Sequence, residues 1–168
     1  ELGDKHVMGI TLGNLGIVYL NKDDYDIALD YYGRALKIKE EIGDKYGMAF
    51  IQGNLGIVYH NKGDYDKALD YHNRSLTIVE EFGDKYGMGF SLLSIGLVYS
   101  EKGDQNEAEE HLEKSLDIQK EIGLKELELV TTTHLYLSYK QLGKDYDEKE
   151  IHRLIKENEN IELEVNLR

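Results

Sequence analysis

The chain contains no proline, no cysteine and no tryptophan. Without proline, no segment carries the strongest breaker of a helix interior. Without cysteine, disulfides and thiolate zinc sites are excluded. The same absence fits a reducing compartment, and a cytoplasmic location is the expectation. No apolar run approaches the roughly 18 residues that a membrane helix needs, and Glu1-Leu2-Gly3-Asp4 does not read as a signal peptide. Membrane insertion is therefore not expected. Basic charge is also scarce: 20 Lys and Arg against 33 Asp and Glu give a formal net charge of −13 over 168 residues. A protein that displaces counterions from phosphates needs a basic face, so no nucleic-acid partner is expected. The acidity reads as a solvated outer face, with attraction to a basic partner segment as the sharper alternative.

What is present is a repeat of forty residues. Gly3-Asp4-Lys5 recurs as Gly43-Asp44-Lys45 and Gly83-Asp84-Lys85, and Gly123 with Lys125 keeps the phase once more. Aligned without gaps, residues 3–42 and 43–82 share 25 identities in 40, and residues 43–82 and 83–122 share 18. The fourth repeat degenerates after Gly143. Each repeat reads as two helices of about 17 residues. Met8, Leu12, Leu15 and Tyr19 share one face of the first helix. A polar break follows, Asn21-Lys22-Asp23-Asp24, which in later repeats holds Gly63, Gly103 or Gly143. Glycine there suits a helix end that turns with positive φ. Asp24, Asp64 and Asp104 suit the N-cap of the second helix, and Asp104 with Glu107 resembles a capping box. Mid-helix Gly16, Gly56 and Gly96 are expected opposite Ala28, Ala68 and Ala108, small against small, so that two backbones approach closely. Tyr19, Tyr59, Tyr99 and Tyr139, and Met8, Met48 and Met88, recur at forty-residue intervals and are expected to pack the core rather than stack a ligand.

Leu15-Gly16, Tyr19, Ala28, Tyr32 and Ala35, with Leu55-Gly56, Tyr59 and Ala68 and then Gly96, Tyr99 and Ala108, resemble the tetratricopeptide repeat consensus. The forty-residue period, the Gly-Asp-Lys joints and Asn-Leu-Gly-Ile-Val-Tyr resemble the longer variant of Pins-type scaffolds and kinesin light chains. The resemblance covers about residues 1–145. It implies an all-α fold, a right-handed α-solenoid of antiparallel helix pairs whose first helices line a concave groove for peptides. Two departures stand out. Glu40 and Glu80 occupy the place of the usual second-helix proline, and Tyr136 replaces the fourth repeat's glycine. The expected organisation is an array over residues 1–160, with repeats 3–42, 43–82 and 83–122, a degenerate capping repeat 123–160, and a tail 161–168. Because Glu1-Leu2-Gly3 resembles Glu41-Ile42-Gly43, at least one more repeat is expected upstream.

On the face away from Leu15 and Tyr19, helical spacing places the candidate groove residues Ile10, Asn14, Ile17 and Asn21, then Phe50, Asn54, Ile57 and Asn61, then Phe90, Ser94 and Leu97, then His134. Asparagine amides can donate to and accept from an extended peptide backbone, and apolar neighbours can take its side chains or an amphipathic helix. Some tetratricopeptide domains hold a C-terminal carboxylate with a lysine and asparagine clamp. At the corresponding positions stand Gly13, Ile17, Phe90 and Ser94, and only Asn54 matches, so that ligand is not expected. The expected partner is a protein or peptide, apolar with basic flanks.

No enzyme, cofactor or metal site is expected. No Ser-His-Asp order stands out. Gly53-Asn54-Leu55-Gly56 falls inside a helix and cannot cradle phosphates. None of the six histidines forms the i, i+4 pair of a zinc helix. Asp23, Asp24 and Asp26 lack the ligand order of a calcium loop. In the tail, Ile161, Leu163, Val165 and Leu167 alternate with polar residues. A disordered tail, a continued helix and a strand in a neighbour's groove all remain open. The rival to a binding module is a self-associating array that forms a homo-oligomer through its groove or tail.

Overall fold

The computed structural model describes residues 2–145 together with Lys149 and Arg153. The tail 161–168 and most of the expected second helix of the fourth repeat lie outside the described residues. Those described form seven α-helices and no strand: α1 (Leu2–Leu20), α2 (Tyr25–Glu41), α3 (Lys45–Asn61), α4 (Tyr65–Glu81), α5 (Lys85–Lys102), α6 (Gln105–Ile122) and α7 (Lys125–Leu142). The forty-residue period thus holds two helices of 17 to 19 residues in each of the first three repeats. The all-α class expected from the periodicity is the one observed. The chain divides into two compact units, Glu1–Gly87 and Met88–Arg168.

The joints follow from local chemistry. Gly63, Gly103 and Gly143 take positive φ, as the helix-end reading requires. In the first repeat Asp23 occupies that place at φ 59°, a region a short polar side chain tolerates better than a branched one. The caps differ from expectation. Asp24, Asp64 and Asp104 do stand at the N-caps, but only Asp64 accepts an amide through its side chain, a 3.4 Å contact from Lys67. The capping box of Asp104 and Glu107 does not form at the Asp104 side chain. The shorter caps lie at the repeat joints, where Gly47 N donates to Asp44 at 2.8 Å and Gly87 N to Asp84 at 3.0 Å.

In the first unit Leu12, Ala28, Tyr32, Ala35, Ile38, Ile51, Leu55 and Val58 form one buried cluster from α1, α2 and α3. In the second, Leu93, Leu112, Leu116 and Leu135 do the same from α5, α6 and α7. The mid-helix glycines lie nearest to larger side chains, and at Gly96 the Ala108 carbonyl also comes close, 3.3 Å from an added Cβ. A Cβ on Gly16 would sit 2.4 Å from the Tyr32 ring, one on Gly56 2.5 Å from His72, and one on Gly96 2.7 Å from Leu112. Small meets large, and Tyr32, His72 and Leu112 are equivalent positions of successive repeats. The tyrosine rows behave as half-buried packing: Tyr19 stacks on Tyr31 at 5.4 Å and Tyr59 on Tyr71 at 5.5 Å. The methionine expectation holds less well, because Met8 is exposed whereas Met48 and Met88 are half-buried.

Candidate functional site

The candidate face is built by the first helix of each hairpin, and each compact unit carries its own portion. In the first unit Ile10, Asn14 and Asn21 of α1 are exposed, and Ile17 leans on the core cluster. On α3, Phe50 is exposed at 54% and Asn61 is exposed, while Asn54 and Ile57 are half-buried. The Asn54 Nδ2 donates to Phe50 O one turn back at 2.9 Å. That bond sets the amide's direction and leaves its oxygen to accept from elsewhere. The Asn61 side chain donates to the Tyr25 hydroxyl oxygen, whose own proton goes to Asp23 at 2.8 Å.

The portion in the second unit is more closed. Phe90 is less exposed than Phe50. Ser94 is buried and its hydroxyl donates to Phe90 O at 3.0 Å, so its polar group is spent within α5. Leu97 packs against the Leu93–Leu135 cluster. His134 is half-buried, and burial holds its imidazole pKa below the ordinary range, with Glu101 pulling the other way. Of the twelve candidates, the open apolar side chains with an amide beside them are therefore Ile10 with Asn14 and Phe50 with Asn54.

The aspartates of the first break are held by protein groups: Asp23 by Tyr25, and Asp26 by Lys62 at 2.5 Å. Among the described residues no group of three or more His, Asp or Glu could hold a metal ion, and no helix is long and apolar enough to cross a membrane. A feature that spacing alone did not single out is the exposed aromatic set at the repeat joint. Tyr46 meets Phe82 edge-on at 5.7 Å and donates to Asp84 at 2.8 Å, and Tyr86 is exposed beside them in sequence. The signal was available in the aromatic that follows Gly-Asp-Lys in the second and third repeats.

Two family models, both described as tetratricopeptide repeat, match residues 47–121 and 10–41. No curated protein sequence matches. Among solved structures the chain is similar to BtubC (BKLC) from P. vanneervenii, with TM-score 0.80 and 19% identity over 98% of this chain and 66% of that one. It is similar to a signal transduction ATPase with a tetratricopeptide repeat sensor from Pyrococcus horikoshii, with TM-score 0.79 and 18% identity over 98% of this chain and 25% of that one. It also resembles a putative kinesin light chain with TPR-like repeats from Podosopora anserina, with TM-score 0.68 and 17% identity over 95% of this chain and 77% of that one. At these identities the likeness is one of fold, and the chain spans less than two thirds of the length of the first two.

Proposed function

Since this chain belongs to the tetratricopeptide repeat family, we propose that it is a protein-interaction module that holds a peptide or helix of a partner against the first-helix face, and that it forms one segment of a larger scaffold or signalling protein. The observation that carries the reading is the exposed Phe50 beside Asn54 on α3, with Ile10 and Asn14 on α1. An exposed large aromatic next to an oriented amide is an arrangement that binding surfaces use: the ring supplies buried area and the amide supplies direction. The net charge of −13 favours partners whose apolar segment has basic flanks. The tetratricopeptide repeat sensor of the Pyrococcus protein is in keeping with a module of this kind set within a longer chain.

The test is selection of peptides from a displayed library on the 168-residue chain, followed by titration of the enriched sequences. Apolar peptides flanked by Lys or Arg are expected. Phe50→Glu and Asn54→Ala are each expected to weaken binding, the first by about tenfold or more. Helix content by circular dichroism should stay unchanged, since Phe50 is exposed. If no peptide is enriched, or if both substitutions leave the affinity unchanged, the face is not the binding site.

A further inference from the structure

Four tyrosines of this chain are already covered by its own cations. Tyr19, Tyr31, Tyr59 and Tyr71 are half-buried, and each ring lies under a lysine or arginine at 5.0 to 5.5 Å. Tyr46 and Phe82 are more open, 51% and 55% exposed. They meet edge to face at 5.7 Å, and among the described residues no lysine or arginine lies over either ring. The Tyr46 hydroxyl donates to Asp84 at 2.8 Å, and Gly87 N donates to the other Asp84 oxygen at 3.0 Å. A carboxylate is thus fixed at the rim of the corner that the two rings make. The surroundings are negative. Phe82 is the C-cap of α4, whose last turn holds Glu80 and Glu81 and no basic residue, whereas the last turn of α2 holds Lys39 and that of α6 holds Lys120. The carbonyl end of a helix favours a cation. The two lysines beside the corner in sequence are engaged elsewhere: Lys45 donates to Glu81 at 3.2 Å, and Lys85 has a partner of its own. Tyr46 stands one turn before Phe50 on the same face of α3.

We infer that the corner of Tyr46, Phe82 and Asp84 is a seat for an arginine side chain, supplied by the basic flank of the partner segment whose apolar part rests on Phe50. The guanidinium lies against the ring faces, whose quadrupoles attract a cation, and its N–H groups donate to the remaining lone pairs of Asp84. Arginine suits the corner better than lysine, because its group is planar, stacks on rings and is more weakly hydrated. The basic flank therefore runs toward the start of α3. The inference rests on the peptide-holding reading for its partner, but its chemistry is separate and can be tested alone.

The experiment follows the 168-residue chain by NMR with two probes, acetyl-arginyl-arginine amide and its citrulline counterpart, which keeps the shape and lacks the charge. The arginine probe is expected to shift the Tyr46 and Phe82 ring resonances with a Kd of about 10–50 mM, and the citrulline probe to bind about tenfold more weakly or worse. Tyr46→Leu should remove the response at Phe82. Asp84→Asn keeps an acceptor for Gly87 N and for the Tyr46 hydroxyl, removes the charge, and should weaken the arginine probe about threefold or more. Phe50→Ala should leave the arginine probe unchanged. Equal responses to the two probes overturn the inference, as does an arginine response at Phe82 that survives Tyr46→Leu, which marks diffuse attraction to an acidic chain. No response to arginine, with library peptides that still lose affinity on Phe50→Glu, overturns the inference and leaves the peptide-holding reading intact. A response at the corner with no enriched peptide supports the arginine seat and overturns the peptide-holding reading.

Discussion

His72 is the residue whose surroundings have the clearest chemical consequence. It is 1% exposed, and neither ring nitrogen has a hydrogen-bond partner among the described residues. Burial, with the His60 charge adding to it, lowers its pKa to about 4. The folded value is depressed below the unfolded one, near 6.5, so folding disfavours the protonated ring. Stability is therefore full above pH 6.5 and falls as pH drops toward 4. The loss attributable to this group is about 2 kcal/mol between pH 7 and pH 5. Urea midpoints measured at the two pH values should show it, and His72→Leu, which installs the residue found at the equivalent Leu112, should remove most of it. Its neighbour Gly56 supplies the second prediction. A methyl there meets the His72 ring at 2.5 Å, so Gly56→Ala should destabilise by about 1–3 kcal/mol in spite of its better helix propensity. Gly33 in α2 is exposed with nothing within 4 Å of an added Cβ, and Gly33→Ala should stabilise by about 0.5–1 kcal/mol. Thermal unfolding of the two variants should move in opposite directions.

For the helices as elements, the joint between α2 and α3 is chemically unlike the other caps. Asp44 accepts from Gly47 N through one oxygen, and the other receives Lys39 Nζ at 2.7 Å. The Lys39 side chain is only 6% exposed. That hydrogen bond holds the Asp44 carboxyl below the usual carboxylate range. Its contribution is present above the unfolded carboxylate pKa and is lost as pH falls through the lowered one, a more acidic window than that of His72. Asp44→Ala removes a cap and strands a buried ammonium, and should cost about 3–5 kcal/mol. Asp24→Ala removes a residue with no side-chain cap bond and should cost less than about 0.5 kcal/mol. Denaturant titrations of the two variants check the contrast. The spacing in the sequence placed Asp24, Asp64 and Asp104 at helix starts, where they stand, but did not single out Asp44 and Asp84, whose side chains make the shorter cap bonds. Whether a carboxylate turns toward the N3 amide depends on what else competes for it, and at Asp44 that competitor, Lys39, also fixes it.

For the whole molecule, charge dominates. A net charge of −13 spread over 168 residues repels itself in the compact state. The cross-hairpin pairs Lys5–Glu41 and Lys45–Glu81 are exposed and weigh little against that. Raising the salt concentration from low ionic strength to about 0.5 M should raise the melting temperature, because screening relieves repulsion among many charges and costs only a few weak pairs. A melting temperature that falls with salt would mean that the ion pairs carry more than their exposure suggests.

The forty-residue period by itself placed the breaks between the helices, the positive φ of Gly63, Gly103 and Gly143, and the all-α repeat class. Those outcomes follow from local rules acting within a few residues. Only the tertiary structure decided that Gly16 and Gly56 receive the rings of Tyr32 and His72 rather than an alanine, that Met8 and Val18 lie open while Met48 and Val58 do not, and that Ser94 and Leu97 turn inward while Phe50 stays out. Each of these depends on which side chain arrives from another helix and on whether a helix is there to arrive. Two repeats that are identical at a position have different surroundings when only one of them is covered.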